Sequence, residues 1–184
     1  MEPFITTVTL GALCLLVYHH LIYPLVLRAA RRHAAPIPPL RLLPPEELPP
    51  MTIVIPAFNE ATVIADKIAN LAGLDYPTER LDIVVACDGC TDATAAIARR
   101  TAAAYPHCRI LVLDHAANRG KVAVLNEVLS LIDQGLICLT DASALLSRDA
   151  LQIAAADFAD PKVGVVAATY CFAIEGTAGE ATYW

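Results

Sequence analysis

From Met51 the chain alternates between short, uninterrupted apolar runs and longer stretches with helical apolar spacing. MTIVIPAF (51–58) precedes ATVIADKIANLAG (61–73), and RLDIVVAC (80–87) precedes TDATAAIARRTAAA (91–104), with Thr91 or Asp92 near that helix start. CRILVLD (108–114) precedes GKVAVLNEVLSLIDQG (120–135), a helix expected to stop at Gly135. LICLTDA (136–142), RDALQIAAADFA (148–159) and VGVVAAT (163–169) extend the series to a fifth strand. Strands that are apolar throughout, each followed by a helix, predict an open α/β domain of the doubly wound type. Its mostly parallel sheet carries helices on both faces. In such sheets ligands bind beyond the carboxyl ends of the strands, near the point where strand order reverses. The residues at those ends are polar: Asn59 and Glu60, Asp88, Asp114 with Asn118, Arg119 and Lys121, then Thr140 and Asp141. Asp92 and Asp114 read equally well as a helix cap and a turn former.

The first 50 residues have a different pattern. Between Glu2 and Arg28 lie 25 residues without a formal charge, most of them apolar. A run of that length is enough for a helix to cross a bilayer core. A cleaved leader would carry a basic start and a shorter apolar region, whereas here Glu2 precedes the run and RAARRH (28–33) follows it. The basic collar places the N-terminus outside and the rest on the cytoplasmic side. His19 and His20 read as neutral histidines near an interface or a partner helix, and Pro24 as a kink site. Residues 1–33 are thus an anchor with its collar. Seven of the thirteen prolines fall within 36–50, so 34–50 reads as a stiff spacer and 51–184 as the globular domain.

Composition and charge narrow the function. The 184 residues are 57% hydrophobic and 17% charged, with mean hydropathy +0.53, which excludes a disordered chain. From Met51 onward there are nine basic against sixteen acidic residues, a balance that argues against nucleic acid as a partner. Six cysteines in a chain with a cytoplasmic domain do not imply a disulfide framework. Cys87 and Cys90 form a CxxC pair, but Cys87 ends a strand and no second pair completes a zinc site, so they read as small buried hydrophobes. No GxGxxG follows the first strand. Gly120-Lys121 lacks both the earlier glycine and the hydroxyl residue of a Walker loop.

Four segments, PAFNE (56–60), ACDGCTDAT (86–94), NRGKVAVLN (118–126) and TDASA (140–144), together resemble family 2 glycosyltransferases. The likeness is to the membrane-bound, cellulose and poly-N-acetylglucosamine synthase-like branch, and it runs in order from Met51 to Trp184. It implies a glycosyltransferase-A-type fold binding a nucleotide-sugar donor, with UDP the expected nucleotide. Pro56, Ala57 and Glu60 would hold the base and ribose, Asn59 would shape the turn, Asp88 would bond the uracil, and Lys121 would meet the diphosphate. Asp141 would begin the motif that ties a divalent cation, magnesium or manganese, to the diphosphate. A sugar or lipid-linked acceptor at the cytoplasmic face of the membrane, its hydroxyl deprotonated by a carboxylate base, would attack the donor's anomeric carbon with inversion as the nucleoside diphosphate leaves.

The sequence departs from that family in two places. Ser143 stands where a second carboxylate or an asparagine is common. The acidic-aspartate pair and the QxxRW motif of the acceptor half do not follow, and Asp157, Asp160, Glu175 and Glu180 match neither. The resemblance therefore implies the donor-binding part of such an enzyme, poor in transfer by itself. A catalytically inactive nucleotide-binding or membrane-tethered interaction module is the second reading, and a CxxC redox protein the third.

Overall fold

The computed structural model describes residues 2–32 and 42–169, which belong to two units, Met1–Pro39 and Leu40–Trp184. Residues 34–41 of the proline-rich stretch, together with Cys171, Glu175 and Glu180, lie outside the described residues.

The first unit is helical throughout its described length: α1 (Glu2–Val17), a π-helical turn (Tyr18–Ile22) and α2 (Tyr23–Arg32). Pro3–Ala30, 28 residues containing an 18-residue stretch of mean hydropathy 1.8, is long and apolar enough to cross a membrane. At about 1.5 Å per residue it reaches roughly 42 Å, against a hydrocarbon core of about 30 Å. The irregularity expected at Pro24 falls in the turn before it. The Tyr23 amide donates to the Tyr18 carbonyl, five residues back. Proline has no N–H to give and its ring crowds the carbonyl four residues earlier, a conflict that a widened turn relieves. His19 and His20 sit in that turn with their rings edge to face, 5.0 Å apart.

The second unit is built on a sheet of four parallel strands, β1 (Met51–Ala57), β2 (Leu81–Asp88), β3 (Arg109–His115) and β4 (Leu136–Leu139), ordered β3-β2-β1-β4. The helices α3 (Ile64–Ala72), α4 (Thr94–Ala103), α5 (Lys121–Ser130) and α6 (Ala150–Asp157) follow the strands in turn. The chain builds outward from β1 to β3, then returns to set β4 on the other side of β1. Right-handed crossovers put helices on opposite faces when the direction reverses, and the packing agrees. Ile53, Ile55, Ile83 and Val85 meet Ile64, Ile68 and Leu71 of α3, Ala98 of α4 and Leu151 of α6. The alternate residues Val54, Val84 and Ala86 meet Val124 and Val128 of α5. Both faces of β1 and β2 are therefore buried, which is why those strands are apolar at nearly every position.

Three sequence expectations change. VGVVAAT (163–169) forms no strand and has no ladder partner among the described residues, and Val165 is 85% exposed. Composition marks a run as fit for a sheet, but only a neighbouring strand makes it one. Gly135 does not stop a helix, since α5 ends at Ser130. It takes a left-handed φ of 91° at the entry to β4, where a Cβ would lie 2.5 Å from the Pro50 carbonyl oxygen. That carbonyl accepts from the Leu136 amide at 2.9 Å, so the close approach starts the β1–β4 ladder. Finally, the last of the proline-rich residues pack on the domain. Leu48 is 1% exposed in the core, the Tyr76 hydroxyl donates to the Pro49 carbonyl, and the Arg80 guanidinium donates to the Leu48 carbonyl.

Candidate functional site

Strand order reverses between β1 and β4, so the crevice of an open α/β sheet is expected beyond Ala57 and Leu139. The loop after β1 is shaped by its own side chains and by the loop after β2. Asn59 takes a left-handed φ of 57°. Its amide donates to Thr91 Oγ1 at 3.1 Å while its carbonyl accepts from the Thr91 amide at 2.8 Å. The Glu60 amide donates to Thr94 Oγ1 at 2.8 Å and the Ala61 amide to Asp92 Oδ2 at 3.2 Å. Asp92 also accepts from the Thr94 hydroxyl and amide, and these bonds hold its carboxyl below the usual range. Asp92 is thus a cross-link between two loops as well as a helix-start residue. Asp114 is paired on the surface with Arg99, 2.8 Å away.

Asp88 is 4% exposed and faces the turn that leads into α5. Its Oδ1 accepts from the Arg119 amide at 3.0 Å and its Oδ2 from the Gly120 amide at 2.7 Å. Amides bonded to a buried carboxylate form a strong, charge-assisted brace. The brace fixes the start of α5 and so the root of Lys121. Lys121 then reaches across to Asp141, with Nζ 2.6 Å from Oδ1, and the side chains are 60% and 53% exposed. A cation carried after β3 and a carboxylate carried after β4 therefore meet in solvent at the carboxyl end of the sheet. The Arg119 side chain pairs instead with Glu127 of α5 at 2.5 Å.

The other anticipated residues are placed differently. Pro56 is half-buried and Ala57 buried within β1, paired with Ala86 and Cys87, so they shape the crevice floor through the backbone. Glu60 is half-buried at the mouth, and Ser143 is exposed two residues after Asp141. Among the described residues no three His, Cys, Asp or Glu side chains gather as a metal cage. One carboxylate with one hydroxyl matches a cation held mainly by a ligand's phosphates, the habit of magnesium-like ions. Cys87 and Cys90 are both free, and burial first of all pushes the Cys87 thiol up to about 12. An attacking thiolate needs the opposite shift, and the Cys90 thiol donates to the Ala57 carbonyl at 3.4 Å.

Lys67 and Asn70 were not anticipated. Lys67, on the inner face of α3, is fully buried, and its ammonium donates to Thr140 Oγ1 at 2.8 Å and to the Ala144 carbonyl. Asn70 exchanges two bonds of 2.9 Å with the backbone of Leu146. The signal was present in the sequence: a lysine occupies a stripe position among Ile64, Ile68 and Leu71. A groove of about 530 Å³, lined by polar and apolar residues alike, lies between the end of α5 and the β2–β3 side of the sheet. Thr52, Asp82 and Arg109, at the amino ends of their strands, help to line it, away from the polar loops.

Comparison with known proteins agrees with the fold. Residues 49–173 match the model of the family described as glycosyltransferase like family 2. The beta-monoglucosyldiacylglycerol synthase of Synechocystis sp. is 30% identical over 135 residues, covering 66% of this chain and 28% of that protein. The poly-beta-1,6-N-acetyl-D-glucosamine synthase of Staphylococcus aureus is 28% identical, again with 66% of this chain and 28% of that protein covered. The chain thus spans little more than a quarter of these relatives. Among solved structures, the mannosyltransferase PcManGT from Pyrobaculum calidifontis, in complex with GDP-Man and Mn2+, superposes with TM-score 0.69 at 34% identity. That match covers 82% of this chain and 44% of the other.

Proposed function

The chain belongs to glycosyltransferase family 2, and from that premise we propose that its second unit binds the nucleoside diphosphate of a sugar donor. The observation that carries this reading is the Lys121–Asp141 pair at the reversal point of the sheet. An exposed ion pair contributes little, about 0–1 kcal/mol, so a diphosphate displaces the carboxylate from Lys121 at small cost. Lys121 then neutralises charge on the departing diphosphate. Asp141, with Ser143, would hold a divalent cation whose contribution is further neutralisation of that leaving group. Glu60 and Asn59 border the base and ribose side, while Asp88 serves the site through the brace that fixes Lys121.

UDP is the expected nucleotide, from the likeness to synthases of the poly-N-acetylglucosamine type. GDP is the competing one, because PcManGT is in complex with GDP-Man. In the whole protein a carboxylate base deprotonates an acceptor hydroxyl, sugar or lipid-linked, and the sugar is transferred with inversion at the cytoplasmic face of the membrane. The N-terminus then lies outside, as the basic collar requires.

Calorimetric titration of the full chain in detergent with UDP, GDP and ADP, with and without manganese, tests the reading. Manganese-dependent UDP binding that falls at least about tenfold in Asp141→Ala is expected, a loss of roughly 1.4 kcal/mol. Absence of binding by a folded chain would refute it. The single carboxylate beside Ser143 favours one second reading, a nucleotide-binding module that works without metal. Equal affinity with and without manganese, unchanged in Asp141→Ala, would establish that instead.

A further inference from the structure

The inner face of α3 consists of Ile64, Lys67, Ile68 and Leu71, none more than 1% exposed. A methionine or leucine at the second of these positions would continue the stripe. An ammonium withdrawn from water is costly unless its hydrogen bonds are met, so its presence calls for a reason. Its partners supply one. Thr140 immediately precedes Asp141, and Ala144 immediately follows Ser143, so the two bonds bracket the Asp-Ala-Ser triplet. One helical turn further along α3, Asn70 takes hold of Leu146 through both its amide N and O atoms.

The bracketed segment has little order of its own. Between β4 and α6 it forms no helix or strand, and its nearby backbone bonds are Thr140 to Val54 and Ala144 to Asp141, each 3.2 Å. Beyond Ala142, which is buried in the core at 3% exposure, its polar anchors come from α3. The same helix begins on the other candidate loop, where the Glu60 carbonyl accepts from the amides of Val63 and Ile64. The two sides of the crevice, Glu60 and Asp141, are thus referenced to one rigid helix.

We infer that Lys67 is a positioning residue: with Asn70 it clamps the 140–146 segment on α3 and sets where Asp141 meets the donor's diphosphate. This rests on the donor-site reading above. The clamp works through Asp141 and does not itself touch the donor.

The test uses the full chain in detergent, as wild type, Lys67→Met and Asn70→Ala. Three quantities are read for each: the thermal midpoint, backbone hydrogen exchange across 139–147, and affinity for UDP and GDP with manganese. For Lys67→Met, cooperative unfolding is expected to persist while exchange in 140–146 accelerates and the better nucleotide binds about tenfold more weakly, roughly 1.4 kcal/mol. Exchange in β1 and β2 should not change. A residue that served only stability would move the midpoint and leave the affinity alone, and that result overturns the inference. If Lys67→Met does not fold, Asn70→Ala decides: faster exchange with weaker binding supports the clamp, and wild-type behaviour in both refutes it. A wild-type chain that binds neither nucleotide removes the donor site and with it the purpose assigned to Lys67. Unchanged exchange in a chain that does bind removes the clamp alone.

Discussion

Lys67 occupies a position where its neighbours along α3 are aliphatic, and its burial has a titration consequence. Desolvation pushes its ammonium down to about 8 from 10.5, against the opposing pull of Cys138 and Asp141. Between those two pH values the unfolded chain binds more protons than the folded one, so this group makes stability rise with pH across that window. Below pH 8 the full penalty is present, about 3 kcal/mol. Tyr76 and Cys87 act in the other direction. Burial raises both to about 12, from 10.0 and 9.0, so they lose stability as the solution becomes more alkaline. The comparison must therefore be a difference between proteins that share Tyr76 and Cys87. In urea unfolding, wild type should gain on Lys67→Met by up to about 3 kcal/mol between pH 7.5 and 10.5. A difference that stays flat would place Lys67 in contact with water. The sequence marks the lysine as out of place on its stripe, but its partners lie more than 70 residues away, beyond the reach of local pattern.

At the scale of elements, the loops after the strands form a mutually braced set. Asn59 and Thr91 join the first two, and Asp88 joins the second to the third. Lys67 and Asn70 join α3 to the fourth. At Gly89 two of these loops come into close contact. Its φ is +65°, and a Cβ would lie 2.2 Å from the Asn118 amide nitrogen and 2.4 Å from the Ala117 carbonyl carbon. Neither is a side chain that can swing aside. Gly89→Ala should therefore cost more than about 2 kcal/mol, combining the left-handed backbone with a displaced loop. Gly164→Ala, with nothing within 4 Å, should stay within about 0.5 kcal/mol of wild type. Thermal or urea unfolding reads both, and equal stabilities would contradict the close packing of these loops. The polar strand ends were legible because an α/β sheet concentrates them on one edge. Their cross-links were not, because each partner choice depends on how neighbouring loops are brought together.

For the whole molecule, the unbroken helix Pro3–Ala30 is exposed along its length, including Phe4, Leu10, Leu15 and Leu25. A helix this long and this apolar is suited to an apolar medium such as a bilayer core. The expectation is that the full chain partitions with membranes and resists carbonate extraction, and that removal of residues 1–33 sends it to the soluble fraction. Carbonate-soluble full-length chain would argue against a spanning helix. The Leu40–Trp184 unit carries its core and its site elements within itself, so nucleotide affinity in detergent should be the same with and without that helix.

The sequence alone determined the long apolar N-terminal helix, the strand–helix alternation, the parallel sheet and the polar edge where Lys121 and Asp141 lie. Each is a local consequence of burial: a strand covered on both faces must be apolar throughout, and a covering helix must carry a stripe. Tertiary structure alone decided that β4 returns to the far side of β1 and that 163–169 finds no strand partner among the described residues. It also decided that Asp88 braces the turn before Lys121, and that a lysine lies buried beneath the loop carrying Asp141. Those outcomes depend on which distant segments meet. Periodicity along the chain records which face each residue turns inward, not which partner it finds there.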